Sequence, residues 1–168
     1  ATEGLPPAIS DYLSLVRRFN ERRGESGEEV KFYPGSPWIA KLLLRPQDRM
    51  TLCELRADDA EALDFDFARE PGVKVLTLDG YTGLKAQLPP PEKRALVLID
   101  PPFEAQDEWS QIVATLKDGL RRLPGGVYAV WYPLTERAKV DRFFMELRRL
   151  ELPPTLAVEL IVNPPAAK

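Results

Sequence analysis

The chain has 168 residues, enough for one domain with a substantial core, with 44% apolar residues, 29% charged residues and a net charge of −3. Its single cysteine, Cys53, excludes an internal disulfide, and the absence of histidine excludes Ser-His-Asp and Cys-His catalysis and most catalytic zinc sites. No apolar run reaches the roughly 18 residues that a transmembrane helix needs, and the first residues do not resemble a signal peptide. We therefore expect a cytoplasmic protein with no metal and no membrane partner.

The apolar spacing and the turn residues predict helices and strands in alternation. A helix is predicted over 8–19, and a second one starts after Pro34-Gly35, with Ser36 as its N-cap and Pro37 as its first helical residue. Strands are predicted at 50–55, 73–78, 95–99, 127–132 and 155–162, and further helices at 58–68, 81–88, about 106–123 and 135–150. Continuous apolar strands in this alternation indicate the α/β class, with a mainly parallel sheet and helices on both faces.

Three acidic residues, Glu54, Asp79 and Asp100, stand where three successive predicted strands end. In open α/β sheets, ligands bind outside the carboxyl ends of the strands, so these side chains are candidates for one site. Each also has a plainer explanation: Glu54 as a solvated strand end, Asp79 as part of an Asp-Gly turn, and Asp100 as an Asx-type turn before two prolines. The set is more informative than any of its members.

These residue types favour a nucleoside-containing cofactor. Glu54 can accept hydrogen bonds from ribose hydroxyls. Asp79 can accept from an adenine amino group, and Gly80 lets the backbone approach a ligand closely. A nicotinamide-dependent enzyme lacks support, because no Gly-x-Gly-x-x-Gly sequence follows any strand of this chain.

The stretch Asp100-Pro101-Pro102-Phe103 is the most specific feature of the sequence. Its two prolines fix the backbone and leave carbonyl groups without competing local N–H donors. A carboxylate and a proline carbonyl can then accept hydrogen bonds from one exocyclic amino group, while Phe103 offers a ring on which a base can stack. The arrangement favours an amine nucleophile on a planar ring that is flipped out of its helix.

The Asp-Pro-Pro-Phe motif resembles that of N6-adenine methyltransferases, and the chain as a whole resembles the RlmJ family. The shared segments, in order, are "FYPGSPWIAKLLLRPQD", "LCEL", "LDGYTGLKAQLPP", "ALVLIDPPFE", "GGVYAVWYP" and "IVNPP". The resemblance implies a Rossmann-like class I methyltransferase fold. It also implies methyl transfer from S-adenosylmethionine to N6 of one adenine in 23S ribosomal RNA.

The resemblance further assigns roles to individual residues. The expected cofactor contacts are Ser36, Glu54, Asp79, Gly80 and Asp100. The expected catalytic residues, which hold the target base, are Asp100, Pro101, Pro102 and Phe103. Within these sets, the resemblance places Glu54 on the ribose and Asp79 on the adenine ring, and it makes Asp100 the acceptor for the amine.

The resemblance also implies a domain organisation. Residues 1–27 are expected to be the end of a helical insertion subdomain, and residues 28–168 a Rossmann-like domain that lacks its first strand and glycine-rich motif. We expect the family's N-terminal segment to be missing from this chain, and a loop to be missing near Leu160 and Ile161. The expected assembly is a monomer with 23S ribosomal RNA as its partner.

Alternative roles remain for some residues. Asn163-Pro164-Pro165 is a second Pro-Pro motif, but it is followed by Ala166 and lacks the stacking ring. Core and rim packing explains Trp131 and Tyr132 better than base contacts do. Four basic residues of the first helix region form a candidate RNA-facing patch, although a solvated helix face is the more common explanation of such a run. They are Arg17, Arg18, Arg22 and Arg23.

Two other functions also remain open. One is a DNA or protein methyltransferase, because the Pro-Pro motif reports an amino nucleophile and not the polymer that carries it. The aspartate of the motif favours adenine over glutamine, and therefore a DNA adenine-N6 methyltransferase. The other is a nucleic-acid-binding protein linked to the use of external DNA as a nutrient, a property that the resemblance brings with it. Binding of S-adenosylmethionine separates an enzyme from the second of these.

Overall fold

The computed structural model describes residues 4–25 and 29–161, and the chain divides into two compact units, Ala1–Thr77 and Leu78–Lys168. The elements of the first unit are α1 (Pro7–Arg22), α2 (Ser36–Leu43), β1 (Met50–Glu54), α3 (Ala57–Phe67) and β2 (Val73–Thr77). Those of the second are α4 (Gly80–Gln87), β3 (Leu96–Ile99), α5 (Glu108–Arg122), β4 (Val127–Val130) and α6 (Arg137–Arg148). Strands β1 and β2 pair in parallel, and so do β3 and β4. The predicted α/β class with parallel strands is confirmed.

The first unit is built around a stack of aromatic rings from three helices. The indole of Trp38 in α2 lies 4.6 Å from the ring of Phe67 in α3, at an interplanar angle of 23°, and 5.4 Å from the ring of Phe19 in α1. Phe19 and Phe67 are buried, together with Val16 and Ala60. Large aromatic side chains contribute much apolar area, so this stack joins the three helices into one core.

Helix α1 is three residues longer at its carboxyl end than the sequence predicts, and buried Asn20 explains the difference. Its Nδ2 donates to the carbonyls of Val16 at 2.9 Å and Phe32 at 2.8 Å. Its Oδ1 accepts from the backbone N–H groups of Lys31 at 3.1 Å and Phe32 at 2.9 Å. A polar residue that reads as the start of a loop is thus fully hydrogen-bonded inside the helix, because the returning chain supplies its partners.

The second unit has an apolar core between α4, α5, α6 and the β3–β4 pair. Its buried members are Leu84, Leu88, Ile99, Ile112, Leu116, Leu123, Phe143 and Leu147. Along β3, Ile99 is buried and Val97 packs against this core, whereas Leu96 and Leu98 are 71% and 57% exposed. Side chains alternate across a strand, so one face of β3 packs on the core and the other is open. Helices on both faces of the strands therefore remain a prediction.

Two predictions about local structure are wrong. Helix α2 begins at Ser36, and its N-cap is Gly35, one residue before the predicted cap. The predicted strand 155–162 does not form over 155–161, where Leu156 and Leu160 are 86% and 83% exposed. Apolar alternation reports that a segment fits a sheet, but a strand also needs a neighbour, and no described strand pairs with this one. Residue 162 and the motif Asn163-Pro164-Pro165 lie outside the described residues.

Candidate active site

The Asp-Pro-Pro-Phe turn follows β3 directly, at the carboxyl end of a parallel strand pair. Asp100 is exposed there, and none of the described residues hydrogen-bonds its carboxylate. In the neighbouring strand, Val130 pairs with Ile99, and the N–H of Trp131 donates to the Ile99 carbonyl at 3.0 Å. Asp100 and Trp131 therefore leave the sheet side by side at the edge where ligands bind in α/β proteins.

Phe103 has a left-handed backbone conformation, with φ of +57°. A bulky residue rarely adopts this conformation, which costs of order 1–3 kcal/mol and is concentrated at functional sites. Its ring lies 4.7 Å from that of Trp109 in α5 and 6.1 Å from that of Trp131. We call Phe103, Trp109 and Trp131 the aromatic cluster. Because Trp131 is 54% exposed, the cluster is open to a planar ligand on that side.

Asp79 is the N-cap of α4, and its Oδ2 accepts from the N–H of Thr82 at 2.8 Å. This is a structural role in its own right, and it leaves Oδ1 for another donor. Gly80 is the first residue of the helix, and a Cβ atom at that position would meet nothing within 4 Å. Gly80 is therefore not required by the packing of the unit, which leaves close approach of a ligand as its predicted role.

A partly buried hydrogen bond joins the first turn of α4 to the first turn of α5. The Tyr81 hydroxyl donates to Oε1 of Glu108, a carboxylate residue that is only 6% exposed. Burial, followed by this hydrogen bond, raises the pKa of Tyr81, and the charge of Asp79 adds to the effect. Tyr81 therefore stays a protonated donor, and Asp79 comes to the same end of α5 that carries Trp109 of the aromatic cluster.

The remaining predicted site residues, Ser36 and Glu54, lie in the first unit. Ser36 is exposed in the first turn of α2. Glu54 is half-buried at the end of β1, and its Oε1 accepts from the N–H of Arg56 at 2.9 Å. Within the second unit, the structure brings together the Asp-Pro-Pro-Phe turn, Trp131 and the start of α4. That Ser36 and Glu54 share a site with them remains a prediction.

Sequence reasoning missed Tyr81, Glu108 and Trp109. An acid such as Glu108 in the first turn of a helix is ordinarily explained by the helix dipole, so the sequence does not reveal its buried partner. Trp109 carried a weak signal, as an aromatic residue six positions after Phe103 at the start of a predicted helix.

Among the described residues, no group of three or more His, Cys, Asp or Glu side chains is placed to hold a metal ion. No described helix is both long and apolar enough to cross a membrane.

The parallel α/β architecture and the acidic Pro-Pro turn at a strand end are features of a class of methyltransferases, and comparison with known proteins identifies the family. The family model "Ribosomal RNA large subunit methyltransferase D, RlmJ" matches residues 1–168. The chain therefore belongs to the RlmJ family, as its motifs predict.

Individual relatives agree with this membership. The chain is 38% identical over 162 residues to Ribosomal RNA large subunit methyltransferase J of Escherichia coli (strain K12), which covers 96% of this chain and 56% of the relative. It is 39% identical over 160 residues to the protein of the same name from Haemophilus influenzae, covering 95% and 56%. The crystal structure of protein LPL1258 from Legionella pneumophila is similar, with a TM-score of 0.76 and 35% identity over 88% of this chain and 54% of that one. The chain thus spans about half the length of the relatives it matches.

Proposed function

We propose that the protein is an S-adenosylmethionine-dependent methyltransferase that modifies N6 of an adenine in 23S ribosomal RNA. The observation that carries the proposal is the Asp-Pro-Pro-Phe turn at the carboxyl end of β3, with Phe103 held in a left-handed conformation beside Trp109 and Trp131. Membership of the RlmJ family supports the same activity. We also propose the cytoplasm as its location, since that is where its RNA substrate is found in bacteria.

The donor groups of the chain suit S-adenosylmethionine. Its ribose hydroxyls and adenine amino group are hydrogen-bond donors, and carboxylates are the acceptors that match them. Glu54 and Asp79 each use one oxygen within their own unit, and Asp100 has no protein donor among the described residues. In the proposal, Glu54 binds the ribose, Asp79 the adenine ring, and Ser36, Gly80 and Asp100 complete the contacts. The fold would be a Rossmann-like class I domain over residues 28–168, following a helical subdomain that ends at residue 27.

The proposed reaction is a direct displacement. Bound S-adenosylmethionine supplies an electrophilic methyl group. In the proposed step, the N6 lone pair would form the new N–C bond as the S–C bond breaks, and the electron pair of that bond would stay on sulfur. Asp100 and the Pro101 carbonyl accept from the N6 amino group and so direct its lone pair. Because aspartate is a weak base, Asp100 takes the displaced proton after the bond to carbon has begun to form.

The flipped adenine would stack on Phe103. A base that leaves its helix loses stacking energy, which an aromatic ring at the site can return. The left-handed backbone at Phe103 directs the ring toward Trp109 and Trp131, and the contacts with these two rings hold it there. The stacking surface is therefore in place before the RNA binds. Pro101 and Pro102 restrict the turn that carries it.

The first experiment measures transfer of a tritiated methyl group from S-adenosylmethionine by the protein at its full natural length. The substrates are 23S ribosomal RNA from cells that lack the modification and, in parallel, genomic DNA. We expect labelled N6-methyladenine at one RNA position. We expect Asp100→Ala to reduce the rate by about 10²- to 10⁴-fold, the usual contribution of a positioned acid–base group.

Glu104→Ala is the matched control, because it removes an exposed carboxylate from the same turn without touching the motif. Its rate should stay near that of the unchanged protein. Label in DNA alone would replace the proposal with a DNA methyltransferase. Absence of label from both substrates, with no binding of S-adenosylmethionine, would leave a nucleic-acid-binding protein.

A further inference from the structure

The first unit contains a cavity of about 460 Å³ that lies among the polar side of α1, the carboxyl end of α2 and the loop between α3 and β2. Its lining is strongly basic, although the chain as a whole has a net charge of −3. Five cationic side chains and a single carboxylate face it: Arg18, Arg22, Lys41, Arg45, Arg69 and Glu70. The excess of positive charge is therefore a local feature that the overall composition does not explain.

The carboxylate of Glu70 is already neutralised within the unit. Its side chain is only 13% exposed and forms ion pairs with Arg22 and with Nζ of Lys41, the latter at 3.6 Å. Lys41 also donates to the Pro71 carbonyl at 2.8 Å, so the positions of Lys41 and Glu70 are fixed by contacts within the unit. The guanidinium of Arg22 also lies over Trp38, with its central carbon 5.4 Å from the centre of that ring. Glu70 cannot offset the remaining cations.

Two cationic side chains at the cavity have no partner within residues 4–25 and 29–161. Arg45 is engaged by Asp48, which accepts from its Nε and Nη2 at 3.0 Å. Arg18 and Arg69 are exposed, and neither guanidinium forms a hydrogen bond or ion pair with any described residue. Each guanidinium therefore presents its full set of donors, in the planar geometry that binds phosphate oxygens.

We propose that this cavity binds backbone phosphates of the substrate RNA, an inference that rests on the proposed function. Positive side chains from three separate segments face one concave surface, so a polymer with successive phosphates can satisfy Arg18 and Arg69 together. Lining by arginine is typical of phosphate recognition, and such contacts position a nucleic acid without reading its sequence. Of the candidate basic patch of α1, only Arg18 and Arg22 line the cavity, and Arg22 is paired with Glu70. Arg17 does not line the cavity, and Arg23 pairs with Asp66.

The test is RNA binding by the protein at its full natural length, measured by fluorescence anisotropy with a labelled 23S RNA fragment at several KCl concentrations. The variants are Arg18→Ala, Arg69→Ala and the double variant that carries both substitutions. The control is Arg17→Ala, because Arg17 is an exposed neighbour of Arg18 in the same helix and does not line the cavity. Each cavity variant should reduce the magnitude of the slope of log association constant against log KCl concentration by about one. The double variant should raise Kd roughly tenfold at physiological salt. Arg17→Ala should change neither.

Two accompanying measurements keep the outcomes distinct. The thermal unfolding midpoint and the Kd for S-adenosylmethionine should be unchanged in the double variant, because both guanidinium groups are exposed and contact no partner in the part of the chain that the structure describes. If the unchanged protein methylates RNA but the double variant has the salt slope of Arg17→Ala, the phosphate site is overturned and the proposed function stands. If the double variant loses affinity for DNA of the same sequence and none for RNA, the assignment to RNA is overturned. If the unchanged protein neither binds nor methylates RNA, both proposals fail.

Discussion

Phe103 shows how much one backbone angle adds to a motif. The sequence predicts a stacking ring at this position but not the left-handed conformation that aims it. The left-handed conformation is unfavourable for a bulky residue such as phenylalanine, so the contacts with Trp109 and Trp131 must stabilise the turn. The ring is thereby oriented in part by Trp131, which is far along the chain and which no local pattern contains.

The Tyr81–Glu108 pair leads to a prediction about stability. Tyr81→Phe leaves a buried carboxylate without its donor, so we expect the free energy of unfolding at pH 7 to fall by about 1–3 kcal/mol. Tyr33→Phe is the matched control, because Tyr33 is 71% exposed and should tolerate the loss of its hydroxyl. Urea denaturation of the three proteins measures the difference. Equal midpoints for the two variants would contradict the assigned role of the pair.

The same pair also predicts a pH dependence. The pKa of Tyr81 is raised in the folded protein above its ordinary value of 10.0, so its contribution to stability is complete below pH 10. Above pH 10 the unfolded chain loses this proton while the folded protein keeps it, and stability falls as the pH rises. We expect a shallower decline above pH 10 in Tyr81→Phe, measured by urea denaturation across the pH series. The other tyrosines continue to titrate in both proteins.

At the scale of elements, the contact between α5 and β4 depends on a glycine. A Cβ atom at Gly119 would lie 2.7 Å from a ring carbon of Tyr128, whose hydroxyl is held by the Leu123 carbonyl at 3.1 Å. In a helix, Gly→Ala normally gains about 1 kcal/mol, but overpacking costs about 1–3 kcal/mol. We therefore expect Gly119→Ala to lower the thermal unfolding midpoint.

Gly125→Ala is the control for this prediction, since a Cβ atom there would meet nothing within 4 Å. Its effect should be within about 0.5 kcal/mol, as for most surface substitutions. A stabilising effect of Gly119→Ala would mean that Tyr128 can move aside, and that helix propensity outweighs the contact.

At the scale of the whole molecule, the proposed cofactor contacts are divided between the two units, with Glu54 in the first and Asp79 in the second. Two isosteric substitutions test the proposal. Glu54→Gln keeps an acceptor for the Arg56 N–H, and Asp79→Asn keeps an N-cap for α4, so both should preserve the fold. Each should weaken binding of S-adenosylmethionine by roughly tenfold, the usual scale for one lost hydrogen bond to a charged group.

Isothermal titration calorimetry of the protein at its full natural length measures these affinities, with Glu104→Gln as the control for loss of an exposed carboxylate. An unchanged affinity in Asp79→Asn alone would reduce Asp79 to its capping role. Unchanged affinity in both variants would remove the two carboxylates from the proposed cofactor site.

The sequence by itself determined the local features of this protein: the alternation of helices and strands, the acids that follow them and the Pro-Pro turn. Propensity, capping and apolar periodicity act within a few residues, so each helix and strand of the described residues was predicted in type and order, although no end was predicted for α2. Tertiary structure alone decided which residues and strands contact one another. It extended α1 through Asn20, left 155–161 unpaired with any described strand, and brought Arg18 and Arg69 to one cavity. Each of these depends on groups far apart in the chain, whose meeting is settled only when the cores pack.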